Sequence, residues 1–233
     1  EADLASYRVI RRRPVRAGYR STEFVTNPPP SAGGLLVAFA LAVLDRLGPM
    51  PAHGSAGAIS ALTEAMREAT RARGGSFVSE LYRGGATRRL LAPDRIREAV
   101  LAVRAHGRAC VREAAGVPST THISAVDADG NAASLSSSTG CGSGVIVPGT
   151  GIQLNNMLGE EDLNPGGAVT RVGERLASMM APSLVLVGGK PRLVVGSAGS
   201  IRLRAAILQI VVNVLDHGMS VAGAIDAPRV HLE

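Results

Sequence analysis

The hydrophobic pattern of the chain changes its period near residue 119. Before that point, apolar residues recur with helical spacing over 35–47, 56–73 and 93–115, and each stretch stops just before a glycine. Residues 1–26 contain short β-like pieces around arginine-rich turns, and the prolines at 28–30 favour an extended backbone. The glycine pair at 33–34 is predicted to precede the first helix. Helices are therefore expected to dominate the first half.

The second half begins with strand-like alternation. Residues 121–126 and 132–137 read as two strands joined by a turn with Asp129-Gly130, a strong hairpin signal. A second hairpin is predicted for 183–187 and 192–195, and helices for 201–215 and 221–227. The glycine- and asparagine-rich stretch 140–173 is too long for an ordinary connection, so it is a candidate binding loop. This order of elements predicts sheets covered by helical layers.

Composition indicates a packed globular protein, with 45% hydrophobic residues and a mean hydropathy of +0.17. The longest apolar run, 35–44, is about half of the ~20 residues that a membrane helix needs. No basic segment followed by an apolar one opens the chain. We therefore expect no membrane span and find no export signal.

The net charge of +6 comes almost entirely from arginine, because Lys190 is the single lysine. The densest arginine cluster, within residues 8–20, lacks interleaved aromatic residues for base stacking. A solvated or subunit-contacting face is favoured there, and no nucleic-acid partner is expected. The two cysteines form no disulfide framework and have no metal-ligand spacing with the histidines.

A threonine pair, Thr120-Thr121, stands where the first strand of the second half is predicted to begin. A threonine hydroxyl becomes an effective nucleophile when a base takes its proton, and the residue's own α-amine serves if the residue is an N-terminus. That chemistry requires cleavage of the bond between Ser119 and Thr120. On spacing alone, the β-propensity of threonine is the more economical explanation.

The motif 120–127, TTHISAVD, followed by Asp129-Gly130-Asn131-Ala132, resembles the first hairpin of the small subunit of γ-glutamyltransferases. The resemblance covers nearly the whole chain, with 75–117 the poorest match. Further motifs that carry it, in order, are Asp3-Leu4-Ala5-Ser6-Tyr7, Pro28-Pro29-Pro30-Ser31-Ala32-Gly33-Gly34, Leu154-Asn155-Asn156, Met180-Ala181-Pro182, Gly196-Ser197-Ala198-Gly199 and Ala227-Pro228-Arg229.

This resemblance implies an α+β fold, the αββα four-layer sandwich of N-terminal-nucleophile hydrolases, with two antiparallel sheets between helical layers. Family members continue at both ends, so the sandwich is expected to be incomplete at both ends. Residues 1–119 would be the C-terminal part of the large-subunit segment, and 120–233 the small-subunit segment, truncated at its C-terminus. The upstream large-subunit segment would be a heterodimer partner. Family members are usually exported in bacteria, which leaves the localisation of this chain open.

The resemblance also assigns catalytic roles. Thr120 would cleave its own bond to Ser119 and then form an acyl-enzyme, and the Ser138 hydroxyl would hydrogen-bond the nucleophile, with Ser in place of the usual Thr. The backbone N–H groups of Gly199 and Ser200 would stabilise the oxyanion, with Ser200 in place of a second glycine. The scheme requires no metal and no organic cofactor.

Substrate recognition matches the family less well. The acidic residue for the substrate α-amine corresponds to Glu160 in place of Asp, and a helping Asn corresponds to Gly140. The serine pair for the α-carboxylate corresponds to Ala177-Ser178, and the carboxylate-binding arginine would lie upstream. The expected partner is a small γ-glutamyl amide such as glutathione, although a site that loses polar partners loses affinity steeply.

Two alternative functions stay open. One is an amide acylase of the same fold with a different acyl group, as in cephalosporin acylases. The other is a non-catalytic relative that serves as a binding or structural module.

Three local patterns have competing interpretations. The stretch from Asp127 resembles the start of a calcium loop, but Ser138 stands where a bidentate Glu is needed, so a hairpin turn is favoured. His122 is read as a structural histidine with satisfied hydrogen bonds rather than as a base. The glycine-rich 140–144 lacks a following helix and a Lys-Ser/Thr pair, so a substrate-covering loop is favoured over a phosphate loop, with Cys141 as a small filler or a substrate contact.

Overall fold

Two antiparallel sheets organise the computed structural model, which describes residues 5–105, 120–160, 173, 175–199 and 202–232. The larger sheet has four strands in the spatial order β1, β2, β5, β6, and the smaller sheet is the hairpin of β3 and β4. The strand bounds are β1 Val15–Tyr19, β2 Thr22–Thr26, β3 Thr120–Val126, β4 Ala132–Ser138, β5 Ser183–Val187 and β6 Lys190–Val195. Both predicted hairpins are therefore present, each slightly longer than predicted.

Seven helices accompany the sheets in the described residues. Their bounds are α1 Gly33–Leu47, α2 Ala56–Arg71, α3 Phe77–Arg83, α4 Ala86–Leu90, α5 Pro93–Ala105, α6 Leu203–Leu215 and α7 Val221–Asp226. The sequence did not predict α3 and α4, which are short. The predicted stretch 106–115 lies outside the described residues. No helix in the described ranges is long and apolar enough to cross a membrane.

Helix α1 is the centre of the core. It is apolar on nearly every side and packs against β1 and β2 of the larger sheet and against α2, α5 and α6. A helix that is apolar all round is stable only when other elements cover each of its faces. The sheet presents a row of buried side chains to the same core, with Phe24 and Val185 directly paired across β2 and β5.

The prediction that the glycine pair precedes the first helix was wrong, because Gly33 and Gly34 form its first turn. A Cβ on Gly33 would lie 1.9 Å from the backbone oxygen of Met179, and one on Gly34 would lie 2.0 Å from Thr26 Oγ1. The helix starts so close to its neighbours that a side chain has no room there. Glycine is required at both positions because a side chain would overlap a neighbouring segment, and not because the chain turns there.

The two sheets contact each other through polar groups of β4. Ser134 Oγ donates to the backbone oxygen of Val195 at 3.3 Å and accepts from the backbone N–H of Ser183 at 3.1 Å. The opposite side of the hairpin is exposed, including Ile123 and Leu135, which are directly paired. The hairpin therefore presents hydroxyls to the larger sheet and apolar side chains to the outside.

The arginine cluster does not behave as one solvated face. Arg20 is only partly exposed, and its Nε donates to Asp216 Oδ1 at 2.7 Å while its backbone N–H donates to Asp45 Oδ1 at 2.8 Å. Tyr19, fully buried, donates its hydroxyl to the same Asp216 carboxylate. The segment 5–14, by contrast, is exposed. The expectation of a solvated or contacting face thus applies to that segment and was wrong for Arg20.

Candidate active site

Thr120 and Ser138 form the end of the β3–β4 hairpin. Thr120 is the first residue of β3 and is paired with Ser138, the last residue of β4. The Thr120 hydroxyl donates to Ser138 Oγ at 3.1 Å, and Ser138 Oγ also accepts from the backbone N–H of Gly140 at 3.0 Å. The hydroxyl of Ser138 therefore joins Thr120 to the turn that follows β4.

Gly140 occupies a buried and crowded position in that turn. Its φ of +64° lies in the left-handed region that favours glycine. A Cβ at this position would lie 2.3 Å from Asn156 Oδ1 and 2.4 Å from Glu160 Oε1. Glu160 and Asn156 thus fill the space that a side chain at 140 would need. Four of the predicted site residues are brought together here: Thr120, Ser138, Gly140 and Glu160.

Asn156 is a member of this group that the sequence analysis did not assign to the site. Its Oδ1 accepts from the backbone N–H of Cys141 at 2.8 Å, and its own N–H donates to the backbone oxygen of Thr139 at 3.1 Å. These two bonds clamp the turn between Thr139 and Cys141. The only sequence signal for it was its membership of the motif Leu154-Asn155-Asn156.

The glycine-rich loop is an irregular β-ribbon. Ser143 N–H donates to the oxygen of Leu154, Leu154 N–H to Val145, and Val147 N–H to Ile152, at 3.0, 2.9 and 2.9 Å. A ribbon in place of a helix agrees with the rejection of a phosphate loop. The side chain of Cys141, at its base, is exposed.

His122 lies two residues after Thr120 and is hydrogen-bonded at both ring nitrogens. Nδ1 lies 2.8 Å from Ser136 Oγ, and Nε2 lies 2.9 Å from Ser124 Oγ. Partial burial lowers the pKa of this imidazole below its ordinary value of 6.5. Both ring nitrogens of His122 thus have hydrogen-bond partners, as expected for a satisfied histidine.

Asp127 belongs to the hairpin turn. Its Oδ1 accepts from the backbone N–H groups of Asp129 and Asn131 at 3.0 and 2.8 Å, and its Oδ2 accepts from the Asn131 side chain at 2.7 Å. Hydrogen bonds from Asn131 lower the pKa of the Asp127 carboxyl. These bonds and the pairing of β3 with β4 confirm the predicted hairpin turn. In the described residues, no group of three or more His, Cys, Asp and Glu side chains is placed to hold a metal ion.

The remaining predicted residues lie on other segments or outside the described residues. Gly199 follows β6 with a φ of +123°, and its backbone oxygen accepts from Arg202 N–H at 3.1 Å as the chain enters α6. Ser200 and Ser119 are outside the described residues. Ser178 is buried, and its hydroxyl accepts from Met180 N–H at 3.0 Å.

The surroundings of Ser178 join two sequence motifs. Its backbone oxygen accepts from Ala32 N–H at 2.7 Å, and Asn27 Nδ2 donates to the oxygen of Met180 at 3.2 Å. Asn27 and Ala32, which lie on either side of the proline stretch 28–30, therefore hold the segment that carries Ser178. These contacts belong to a different set from those around Gly140 and Glu160.

The two antiparallel sheets with packed helices are the fold of the N-terminal-nucleophile hydrolases. A cephalosporin acylase from Bacillus halodurans has this fold in its crystal structure. It superposes with a TM-score of 0.78 at 25% identity, over 98% of this chain and 42% of the acylase chain. The chain belongs to the gamma-glutamyltranspeptidase family, whose model matches residues 1–233.

Two curated relatives represent the two kinds of enzyme in this comparison. The chain is 32% identical over 241 residues to the acylase ACY 1 proenzyme of Pseudomonas sp. (strain SE83), covering 100% of this chain and 43% of that protein. It is 32% identical over 252 residues to the glutathione hydrolase proenzyme of Escherichia coli (strain K12), covering 98% and 43%. The chain thus spans less than half the length of either relative. Its sequence identity to the acylase equals its identity to the glutathione hydrolase, so identity alone does not indicate which of the two enzymes it resembles more.

Proposed function

We propose that this chain is part of a self-processing amidohydrolase that hydrolyses or transfers γ-glutamyl amides, such as glutathione, through an acyl ester on Thr120. The observation that carries the proposal is the hydrogen bond from the Thr120 hydroxyl to Ser138 Oγ at the first position of β3. A nucleophile at the start of a strand is well placed to become an N-terminus.

Self-cleavage would come first. Thr120 Oγ1 attacks the carbonyl carbon of Ser119, the peptide C–N bond breaks, and the hydroxyl proton moves to the released amine. Water then hydrolyses the ester and leaves a free α-amine on Thr120. That amine is the base which activates the hydroxyl for substrate.

Turnover repeats the same chemistry on an external amide. Thr120 Oγ1 attacks the substrate carbonyl, and its proton passes through the α-amine to the leaving amine. The backbone N–H groups of Gly199 and Ser200 would stabilise the negative oxygen, where each such donor contributes about 3–4 kcal/mol. Water or an acceptor amine then takes the acyl group and restores the Thr120 hydroxyl.

The two products of cleavage would remain together. Strand β2 precedes the proposed cut and pairs with β5 after it, in register from Glu23 with Leu186 to Thr26 with Ser183. A large-subunit segment 1–119 and a small-subunit segment 120–233 would therefore share one sheet and one core. This supports a heterodimer of segments in place of two separate domains.

Recognition of the acyl group would depend on Glu160, Gly140 and Ser178. A carboxylate suits a substrate amine, and Glu160 Oε1 lies close to Gly140 in the turn that holds Ser138. Ser178 would contact the α-carboxylate. The resemblance to the acylase ACY 1 proenzyme and to cephalosporin acylase supports a second candidate, an acylase for groups without the α-amine.

The test of the mechanism is the intact mass of the protein expressed from its full native reading frame, beside Thr120→Ala. We expect two fragments with a new N-terminus at Thr120 in the native protein and one uncut chain without turnover in the variant. Thr121→Ala, one position further along the same strand, is the matched control and should still be cut. Cleavage and turnover in Thr120→Ala would refute the mechanism, and an uncut native chain would favour a non-catalytic module.

The acyl group is tested with two anilides that differ only in the α-amine, γ-glutamyl and glutaryl p-nitroanilide. A γ-glutamyl enzyme should prefer the first, and Glu160→Gln should remove that preference. Preference for the glutaryl compound would select the acylase alternative.

A further inference from the structure

The inner side of the β3–β4 hairpin carries a row of polar side chains. Alternate residues of β4, namely Ser134, Ser136 and Ser138, bond in turn to the larger sheet, to His122 and to Thr120. His122 and Thr120 are two positions apart on β3, so they lie on the same side of the strand. The imidazole is therefore the next side chain along from the proposed nucleophile.

The His122 ring lies against the backbone where β6 ends. A Cβ built on Gly196 would lie 2.1 Å from the Cε1, 2.2 Å from the Nδ1 and 2.5 Å from the Nε2 of His122. Three ring atoms at such distances mean that the imidazole is packed on the glycine backbone itself. The φ of Gly196 is not in the left-handed region. The contact with the ring, and not backbone strain, is what requires glycine there.

This contact connects two parts of the proposed machinery. Gly196 leads within three residues to Gly199, whose N–H is proposed for the oxyanion. The imidazole itself is held by hydrogen bonds at both ring nitrogens, to Ser124 on β3 and to Ser136 on β4. The imidazole on Gly196 and the Ser134 hydroxyl on Val195 are thus two adjacent contacts that link the end of β6 to the hairpin, and the imidazole is the one nearer to Thr120.

We propose that His122 is a positioning residue that sets the distance between the Thr120 nucleophile and the Gly199 turn by packing its imidazole on Gly196. The inference rests on the proposed function, since it assigns a role toward Thr120 and Gly199. It gives His122 no proton transfer.

The test is a double-mutant cycle of His122→Ala and Gly196→Ala. The methyl of Gly196→Ala and the ring must separate by more than 1 Å to reach an ordinary contact near 3.4 Å. A misplacement of about 1 Å can reduce a rate about 100-fold. We expect kcat of Gly196→Ala to fall by about that factor with KM changed less than about twofold. With the ring removed by His122→Ala, the added methyl should change kcat less than about twofold.

Two controls separate positioning from loss of folding. Gly18→Ala adds the same methyl to β1, where nothing lies within 4 Å, and should leave kcat and the melting temperature unchanged. Gly34→Ala creates a comparable close contact, 2.0 Å from Thr26 Oγ1, and should lower the melting temperature without lowering kcat of the folded enzyme. A kcat loss of similar size in Gly34→Ala would overturn the proposal.

A further variant keeps the test decisive if Gly196→Ala does not fold. His122→Phe preserves a flat ring on Gly196 but removes both ring nitrogens. Retention of more than about one tenth of kcat is expected if ring packing is the main positioning element. A cycle in which Gly196→Ala reduces kcat equally with and without the imidazole would overturn the inference, as would a His122→Phe variant no more active than His122→Ala. Activity in Thr120→Ala would instead refute the proposed function itself.

Discussion

Replacing Ser138 by alanine should slow both self-cleavage and turnover. The hydroxyl accepts two hydrogen bonds, from Thr120 Oγ1 at 3.1 Å and from Gly140 N–H at 3.0 Å. Gly140 is buried, so its N–H would lose its partner without direct access to water. An unsatisfied buried donor typically destabilises by about 1–3 kcal/mol. The Thr120 hydroxyl would at the same time lose the acceptor that orients it.

The expected magnitudes follow from these contacts. A loss of about 1.4–2.8 kcal/mol in transition-state stabilisation corresponds to a rate reduction of about 10- to 100-fold. The same defect in the ground state should lower the melting temperature, by about 2–4 °C for each kcal/mol in a protein of this size. Ser138→Thr keeps the acceptor oxygen and is the matched control.

The assay follows the appearance of the cleaved fragments by mass over time, and then kcat for γ-glutamyl p-nitroanilide on fully processed enzyme. Ser138→Thr should retain most of both rates. A Ser138→Ala protein that matures and turns over within about twofold of the native rates would show that the Ser138 hydroxyl does not orient Thr120.

Two predictions concern stability rather than catalysis. Tyr19→Phe removes the hydroxyl that donates to the Asp216 carboxylate, which Arg20 also contacts, and should reduce the free energy of unfolding in urea by about 1.5–3 kcal/mol. Its kcat should be unchanged, and an unchanged urea midpoint would contradict the reasoning. Burial is the main cause that holds the pKa values of His122 and His217 below 6.5 in the folded protein. The unfolded chain then binds more protons, so stability should fall as the pH drops below about 6.5. His122→Gln and His217→Gln together should flatten the dependence below about pH 6.5, and an unaltered slope would argue against this assignment.

The hairpin register depends on the exact length of its turn. Asp127 N–H donates to the backbone oxygen of Asn131 at 3.0 Å, so the turn is a three-residue loop with Gly130 at a φ of +82°, and the pairing continues from Val126 with Ala132 to Thr120 with Ser138. A two-residue Asp129-Gly130 turn would instead place Thr120 opposite Thr139. The principal hydroxyl pair of the site is therefore a consequence of local turn chemistry and strand geometry. Its chemical meaning came from the family resemblance, since the residue pattern alone favoured an ordinary strand.

The short helices α3 and α4 show where local pattern fails. They have seven and five residues, too few for the helical period to stand out from irregular structure. Each still buries anchors in the core, including Phe77 and Leu90. Burial of these side chains by neighbouring elements, rather than periodicity, accounts for their presence.

The sequence alone determined the main helices and both hairpins, because periodicity and turn residues act over a few neighbouring positions. Only the tertiary structure decided that Glu160 and Asn156 crowd Gly140 and that His122 rests on Gly196. These contacts join residues about 16 to 74 positions apart, and they depend on how separate elements pack. Local sequence patterns do not encode the distance between such elements, which is the quantity that sets the geometry of the candidate site.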